Sequence, residues 1–385
     1  MKRTDPAPSR STTAPEPAPE DRVLDAVVVG AGQAGLATAY HLRRRGLDHV
    51  VLESARQVGD HWRHQYDSLR LFTANRFNSL PGLGVSGEPW GFAGKDEVAQ
   101  TLQEYAERFD LPVRTGSPVR RVASAADGDG FTVTTPAHTY RSHSVVLATG
   151  PFGQLPSVPV LADHLDPQTL QLHSSEYRRP GQLRPGSVLV VGGGHSGCDL
   201  ALEVARAGHP TILSGRDPGQ IPVQWDSPLL RVIMPMVMLQ HTYVYDRRTP
   251  MGRRMRSQVL HHGAPRLRVQ AQDLDDAGVV RTPARVTGTR GGRPQLADGT
   301  VVDAANVIWA TGFRHDWSWL DLPVLDEEGW PREYRGVARD VEGLFFCGLA
   351  FQTSMSSMNF FGVGRDAAYV ARRIAHRVGG HVVAS

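Results

Sequence analysis

Cysteine is almost missing from this chain. Cys198 and Cys347 are the two in 385 residues, far apart and each among apolar or small neighbours. There is no Cys-x-x-Cys, so the dithiol that a disulfide-exchanging enzyme needs is lacking. Buried, inert thiols are the expectation. Lysine is equally scarce: Lys2 and Lys95 are the only ones, so the 42 basic residues are nearly all arginine. They face 39 acids, for a net charge of +3. The arginine clusters are short (Arg43 to Arg45, Arg247-Arg248, Arg253 to Arg256), and no concentrated basic stripe speaks for nucleic acid. No run approaches the ~18 apolar residues of a membrane span, and the first residues lack the apolar core of a signal peptide. A cytoplasmic protein without stable membrane insertion is expected. The 16 histidines show no ligand spacing. His261 and His262 are adjacent rather than one helical turn apart, so no metal site is expected.

What is present is a duplication. The length suits about two domains. Residues 1–21 are rich in Pro, Ala, Ser, Thr and charge, and are expected to be disordered. A Val-rich strand, Ala26 to Val29, then turns through Gly30-Ala31-Gly32-Gln33-Ala34-Gly35 into a helix from Leu36 to Arg45. The strand His49 to Leu52 follows and ends on Glu53, and the segment closes on Ala148-Thr149-Gly150. The same order recurs later. Strand Ser187 to Val191 turns through Gly192-Gly193-Gly194-His195-Ser196-Gly197 into a helix from Cys198 to Ala207, strand Thr211 to Leu213 follows, and Ala310-Thr311-Gly312 closes the unit. From opening glycine to closing alanine is about 118 residues in each half.

Continuous Val/Leu/Ile runs between helices indicate a buried parallel sheet. The fold class is therefore α/β, with two dinucleotide-binding (Rossmann-like) domains. The strand Gly343 to Cys347 and a final helix, Val363 to Arg377, have no counterpart in the first half. They are expected to return to the first domain. The expected division is 22–160 with 311–380 for one nucleotide domain and 161–310 inserted as the other.

In such a turn the first glycine makes the bend, the second lets a pyrophosphate approach, and the third lets helix and strand pack closely. The residue ending the next strand selects the nucleotide. Glu53 would accept ribose hydroxyls and repel a 2′-phosphate, so the first site should hold FAD or NAD. The equivalent place in the second copy offers Ser214, Gly215 and Arg216 and no acid. A hydroxyl and a guanidinium suit a 2′-phosphate, so NADPH is expected there. His195 sits beside the expected pyrophosphate, either adding charge when protonated or pointing to solvent.

The chain resembles the flavin-containing monooxygenase class, in its YUCCA-like bacterial branch. The resemblance rests on both glycine turns, Val58-Gly59-Asp60-His61-Trp62-Arg63, and Tyr66-Asp67-Ser68-Leu69-Arg70-Leu71. It rests also on Ala148 to Phe152, His173 to Tyr177, Ala310 to Phe313 and Gly362 to Ala368. It departs from the usual linker motif, where Pro167 and Thr169 replace Phe and Gly, and this weakens a Baeyer-Villiger assignment. The resemblance implies that NADPH reduces FAD, that dioxygen adds to the flavin, and that the peroxyflavin oxygenates a small organic substrate. It places Trp62, Arg63 and Arg70 beside the flavin and the Ala-Thr-Gly segments at the domain crossings. Ala34, Ser54, Thr149, Gly150, Thr311, Gly312 and Gly348 complete the cofactor-binding set.

Because the cofactor carries the oxidation, no triad is required. Asn75, expected just after a strand Leu69 to Thr73, and Asn359, in the Met- and Phe-rich stretch 355–361, are the candidates to touch reacting atoms. The longest apolar stretch, Leu229 to Leu239, is too short to span a bilayer, and Pro235 is expected to break any helix there. With Arg247 to Arg256 it reads as a substrate-side lid or a homodimer contact, and less readily as a peripheral membrane contact. Two other readings stay open: an NADPH-linked flavoprotein reductase or oxidase, and a non-catalytic redox sensor.

Overall fold

A computed structural model describes residues 22–384 except 154, 221–226, 263–265 and 267, so the tail 1–21 lies outside the described residues. Its first sheet is parallel at the centre. The strand Val23–Val29 lies between His49–Leu52 and Thr139–Leu147, and Val113–Arg114 extends the His49–Leu52 side. The strand Leu344–Phe346 pairs in parallel with Val145 to Leu147, which completes this sheet from the far end of the chain. The second sheet is parallel throughout, in the order Leu170–His173, Asn306–Trp309, Val188–Val191, Thr211–Ser214, Val280–Thr282. The chain therefore leaves the first sheet, builds the second and returns. The two crossings pair with each other, Leu155–Pro156 running antiparallel to Phe313–Arg314.

Burial explains the helices that flank the first sheet. Gln33–Arg43 buries Ala34, Gly35, Ala37 and Ala39 beside Leu36 and Leu42. These small side chains let the final helix, Phe360–Ala384, pack closely on it. That helix buries Val363, Ala367, Val370, Ala371 and Ile374, the spacing of one helical face. Its buried Val363, Val370 and Ile374 each contribute roughly 1.5–3 kcal/mol.

His41 and His49 sit in this layer. Burial is the largest cause lowering both, His41 to about 4. An unfolded imidazole binds its proton near pH 6.5, so below that pH the unfolded chain takes up protons that the folded one refuses. Folding stability should fall as pH drops from 6.5 towards about 4, measured as the thermal midpoint across that range. A flat midpoint would contradict the burial.

Two local expectations are corrected. Pro235 does not break the helix: Pro228–Leu239 runs through it. The proline withholds one amide from the ladder, and the buried Leu230 and Met234 hold the helix onto Ala74, Phe77 and Trp90. Leu69 to Thr73 is not a strand. It makes one bridge, Arg70 to Gly94, and Gly94 caps the helix Lys95–Arg108, so the ladder cannot continue.

Candidate functional site

The two glycine turns are built alike, atom for atom. Gly30 and Gly192 have φ of 101° and 118°, open to glycine and strained for other residues. A Cβ on Gly30 would stand 2.7 Å from the Ala148 carbonyl oxygen, and one on Gly192 would stand 2.3 Å from that of Ala310. Ala148 and Ala310 are held there by donating their amides to Val29 and Val191, each at 2.8 Å. This is the physical content of the repeated Ala-Thr-Gly: its alanine closes on the first glycine of its own turn. The third glycines face inward, since a Cβ on Gly35 or Gly197 would lie 1.8 or 1.7 Å from the carbonyl oxygen of Gly30 or Gly192. The second glycines, Gly32 and Gly194, cap the two helices and have nothing within 4 Å of an added Cβ. Each helix N-terminus thus opens on free space that suits a pyrophosphate.

Both turns open on one cavity of about 1790 Å³. Its wall includes Gly30, Gly32, Ala34, Glu53, Ser54, Trp62, Thr149 and Gly150. From the second half come Gly192, Gly194, His195, Ser196, Ser214, Arg216, Thr311 and Gly312, joined by Gly348 and Asn359. Glu53 accepts the amides of Ala31 at 2.7 Å and Ala55 at 2.9 Å, which fixes its carboxylate at the lip of the first turn. At the second turn Gly215 has φ of 144°, and a Cβ on Gly193 would lie 2.4 Å from the Arg216 carbonyl oxygen. The strand end carrying Arg216 is therefore pressed onto the turn.

Ser214 is fully buried and donates its hydroxyl proton to the Ala284 carbonyl at 2.7 Å. That bond holds Ala284, the residue before Arg285, beside the end of the strand that leads to Arg216. Arg285 lines the cavity and was missed from the sequence, since it comes from a loop about 70 residues after Arg216 with no motif around it. His195 stands one residue inside its helix, its ring 5.7 Å from that of Phe72.

Besides the inward-facing third glycines Gly35 and Gly197, three expected residues are not in this wall. Arg63 donates to the Val58 carbonyl, to Asp60 and to Gln103, so it braces the short helix carrying Trp62. Arg70 is exposed, donates to the Phe92 carbonyl and borders a smaller, adjoining cavity of about 220 Å³. Asn75 is buried, accepting from the Ala93 amide and donating to the Glu88 carbonyl. It clamps its loop, and both ends of its amide are occupied. Asn78, three residues on, borders the cavity instead, but it is buried too, donating to the Thr73 carbonyl at 2.7 Å and accepting from the Thr73 hydroxyl. Nothing in the sequence separates the two asparagines; the tertiary path of the loop does. Asn359 is in the wall, its amide donating to the Met355 carbonyl at 3.3 Å.

The side of the first turn away from Glu53 leads to an apolar end. Gln33 donates to the Met358 carbonyl, and beyond it lie Met355, Met358 and Phe360, with Phe360 6.3 Å from the Trp62 ring. His241, Val259 and Leu260 face them from the 228–262 segment, so that stretch borders the cavity. His241 stands on a π-helical turn, Gln240–Val244, and burial lowers its pKa to about 4, leaving it neutral. The linker histidine has a different task. His173 bonds the Gly312 carbonyl at 3.0 Å and the Ser175 hydroxyl at 2.8 Å, and so staples the second crossing. Tyr177 is fully buried and reaches Glu203.

A family profile described as pyridine nucleotide-disulphide oxidoreductase matches residues 27–237. The chain belongs to this family. An uncharacterized CzcO-like oxidoreductase of Geobacillus kaustophilus is 35% identical over 353 residues, covering 91% of this chain and 98% of that one. The indole-3-pyruvate monooxygenase YUCCA8 of Oryza sativa is 28% identical, covering 92% of both chains. A flavin-containing monooxygenase from Stenotrophomonas maltophilia has a similar structure, with a TM-score of 0.71 and 27% identity over 92% of this chain and 99% of that one. Within the family, then, this is an enzyme of the flavin monooxygenase class, related to the YUCCA branch. The family and the class name a pyridine nucleotide and a flavin as the cofactors.

The disulphide in the family's description has no counterpart in this chain's chemistry. Cys198 and Cys347 are both free and buried. Burial pushes their thiols up to about 11 and about 12, so neither is a thiolate near neutrality. Replacing either by serine should leave NADPH oxidation within about two-fold of the parent. A loss of all activity in one variant, with the thermal midpoint kept, would return a thiol to the chemistry.

Proposed function

We propose that this enzyme holds FAD at the first turn and NADPH at the second, and that it transfers one atom of dioxygen to a small organic substrate. The observation that carries this reading is the polarity of the single cavity shared by the two turns. Glu53 lies in its wall at the first turn, and Arg216 and Arg285 lie in its wall by the second. Glu53 accepts hydrogen bonds from vicinal ribose hydroxyls and repels a 2′-phosphate. Arg216 and Arg285 attract that phosphate.

Bound FAD would supply the redox and oxygen chemistry. The remaining tasks fall to the chain. The open second glycines admit the two pyrophosphates at the helix ends. Trp62, Phe72, Met358 and Phe360 keep water from the end of the cavity beyond the first turn. Asn359 presents its amide there, with a carbonyl oxygen to orient what binds, while both ends of the Asn78 amide are taken by Thr73. The apolar wall around neutral His241 suits a substrate whose reacting end is uncharged. The YUCCA relatives' indole-3-pyruvate, an aromatic 2-oxo acid, is a sensible first member of a screen that includes organic sulfides and amines.

The test has two stages. Flavin reduction is followed without oxygen, with NADPH and then NADH. Labelled dioxygen is then admitted with each candidate substrate. Faster reduction by NADPH and one labelled oxygen atom in a product are expected. A pure protein that takes up no flavin, or one that turns all its NADPH into hydrogen peroxide with every substrate offered, would sink the proposal.

A further inference from the structure

We infer that the outer face of the Pro228–Leu239 helix, with the turn that follows it, is a docking surface for an anionic lipid membrane. Five large apolar side chains lie along it: Leu229, Val232, Met236, Leu239 and Tyr243, between 55% and 65% exposed. Their spacing of three and four residues puts them on one side of a helix. The opposite side is already engaged, with Leu230 and Met234 buried against Ala74. The helix is thus apolar on two faces, and the protein covers one. Contiguous exposed apolar surface of this kind marks an interaction site.

Charge decides the occupant. Residues 227–262 contain six arginines and one acid, Asp246. Asp246 is buried and paired with Arg248, while Arg247 pairs with Glu333. Arg231, Arg253 and Arg254 are exposed. The whole chain carries only +3, so this segment holds more than all of the protein's net positive charge and the remainder is slightly negative. A second copy docked on this face would set one arginine cluster near another. An anionic lipid surface answers both features: the apolar stripe enters the headgroup boundary and the arginines meet the phosphates. Tyr243 lies at the end of the stripe, a residue type favoured at that depth. Among the described residues no helix is long and apolar enough to cross a membrane, so the contact is a surface one.

The experiment is co-sedimentation of the full-length flavin-loaded protein with vesicles of phosphatidylcholine alone and of phosphatidylcholine mixed with phosphatidylglycerol. Binding to the mixed vesicles only is expected, weakening as salt rises. The double variant Val232→Asp with Met236→Asp should bind at least ~10-fold more weakly. Arg253→Gln with Arg254→Gln should also bind more weakly, and both should keep the parent's thermal midpoint because these side chains are exposed. Sedimentation velocity without lipid runs alongside. No binding to either vesicle would overturn the inference. So would a concentration-dependent dimer that the Val232→Asp, Met236→Asp pair dissolves and that vesicles fail to disperse, since a second copy would then cover the face.

Discussion

Replacing Gly197 with alanine is expected to give a protein that still purifies yellow but is reduced by NADPH at least ~100-fold more slowly. The added Cβ would lie 1.7 Å from the Gly192 carbonyl oxygen and 3.4 Å from the Ala310 side chain. No rotamer relieves a Cβ, so helix and turn must separate, and the open amides at the helix end leave the place where a pyrophosphate meets them. Displacement of this kind costs about 3 kcal/mol or more, which corresponds to about two powers of ten. The first turn belongs to another sheet and keeps its own glycines, so flavin is retained. Gly35→Ala is the mirror experiment. Its Cβ meets the Gly30 carbonyl oxygen at 1.8 Å, and this protein should emerge colourless. Flavin content and stopped-flow reduction of the two variants read the outcome. Parent-like reduction in Gly197→Ala would mean that the second turn does not seat the nicotinamide cofactor.

Arg216→Ala carries the second large effect. A guanidinium paired with a phosphate is worth ~1.5–3 kcal/mol, so the preference for NADPH over NADH should shrink by about one to two powers of ten. NADH should be handled as before, because the lost contact is to a group that it lacks. Arg285 supplies a second guanidinium at the same end, so the single variant should keep a residual preference that Arg216→Ala with Arg285→Ala removes. The measurement is the ratio of kcat/KM for the two nucleotides. An unchanged ratio in the double variant would move the 2′-phosphate elsewhere.

What could be read from the amino acids was what is local. Each glycine turn is a short, strongly spaced pattern whose geometry depends on its own strand and helix, and the acid or arginine proposed to select the ribose lies just past the end of the adjacent strand. The duplication and the returning strand at Leu344–Phe346 were legible because buried parallel strands are continuous apolar runs. Side chains set by the path of a loop were not legible. Asn75 and Asn78 differ by three residues and both clamp the loop, but only Asn78 borders the cavity. Arg63 and Arg70 sit in the right motifs, yet they hold Val58, Gln103 and Phe92. Arg285 has no motif at all and arrives through the hydrogen bond from Ser214 to Ala284. Pro235 looked like a helix breaker because a local rule omits the packing of Leu230 and Met234.

The antiparallel pairing of Leu155–Pro156 with Phe313–Arg314 has a bearing on how such enzymes change. A unit that enters and leaves through adjoining strands joins its host chain at one place, and here it also rests on the host through Leu230 and Met234 on Ala74 and Arg247 on Glu333. An exchange of that unit would leave both cut ends where they are, but it would have to remake those contacts. On the proposed assignment, the choice of electron donor would travel with that unit together with the surface by which it rests on its host.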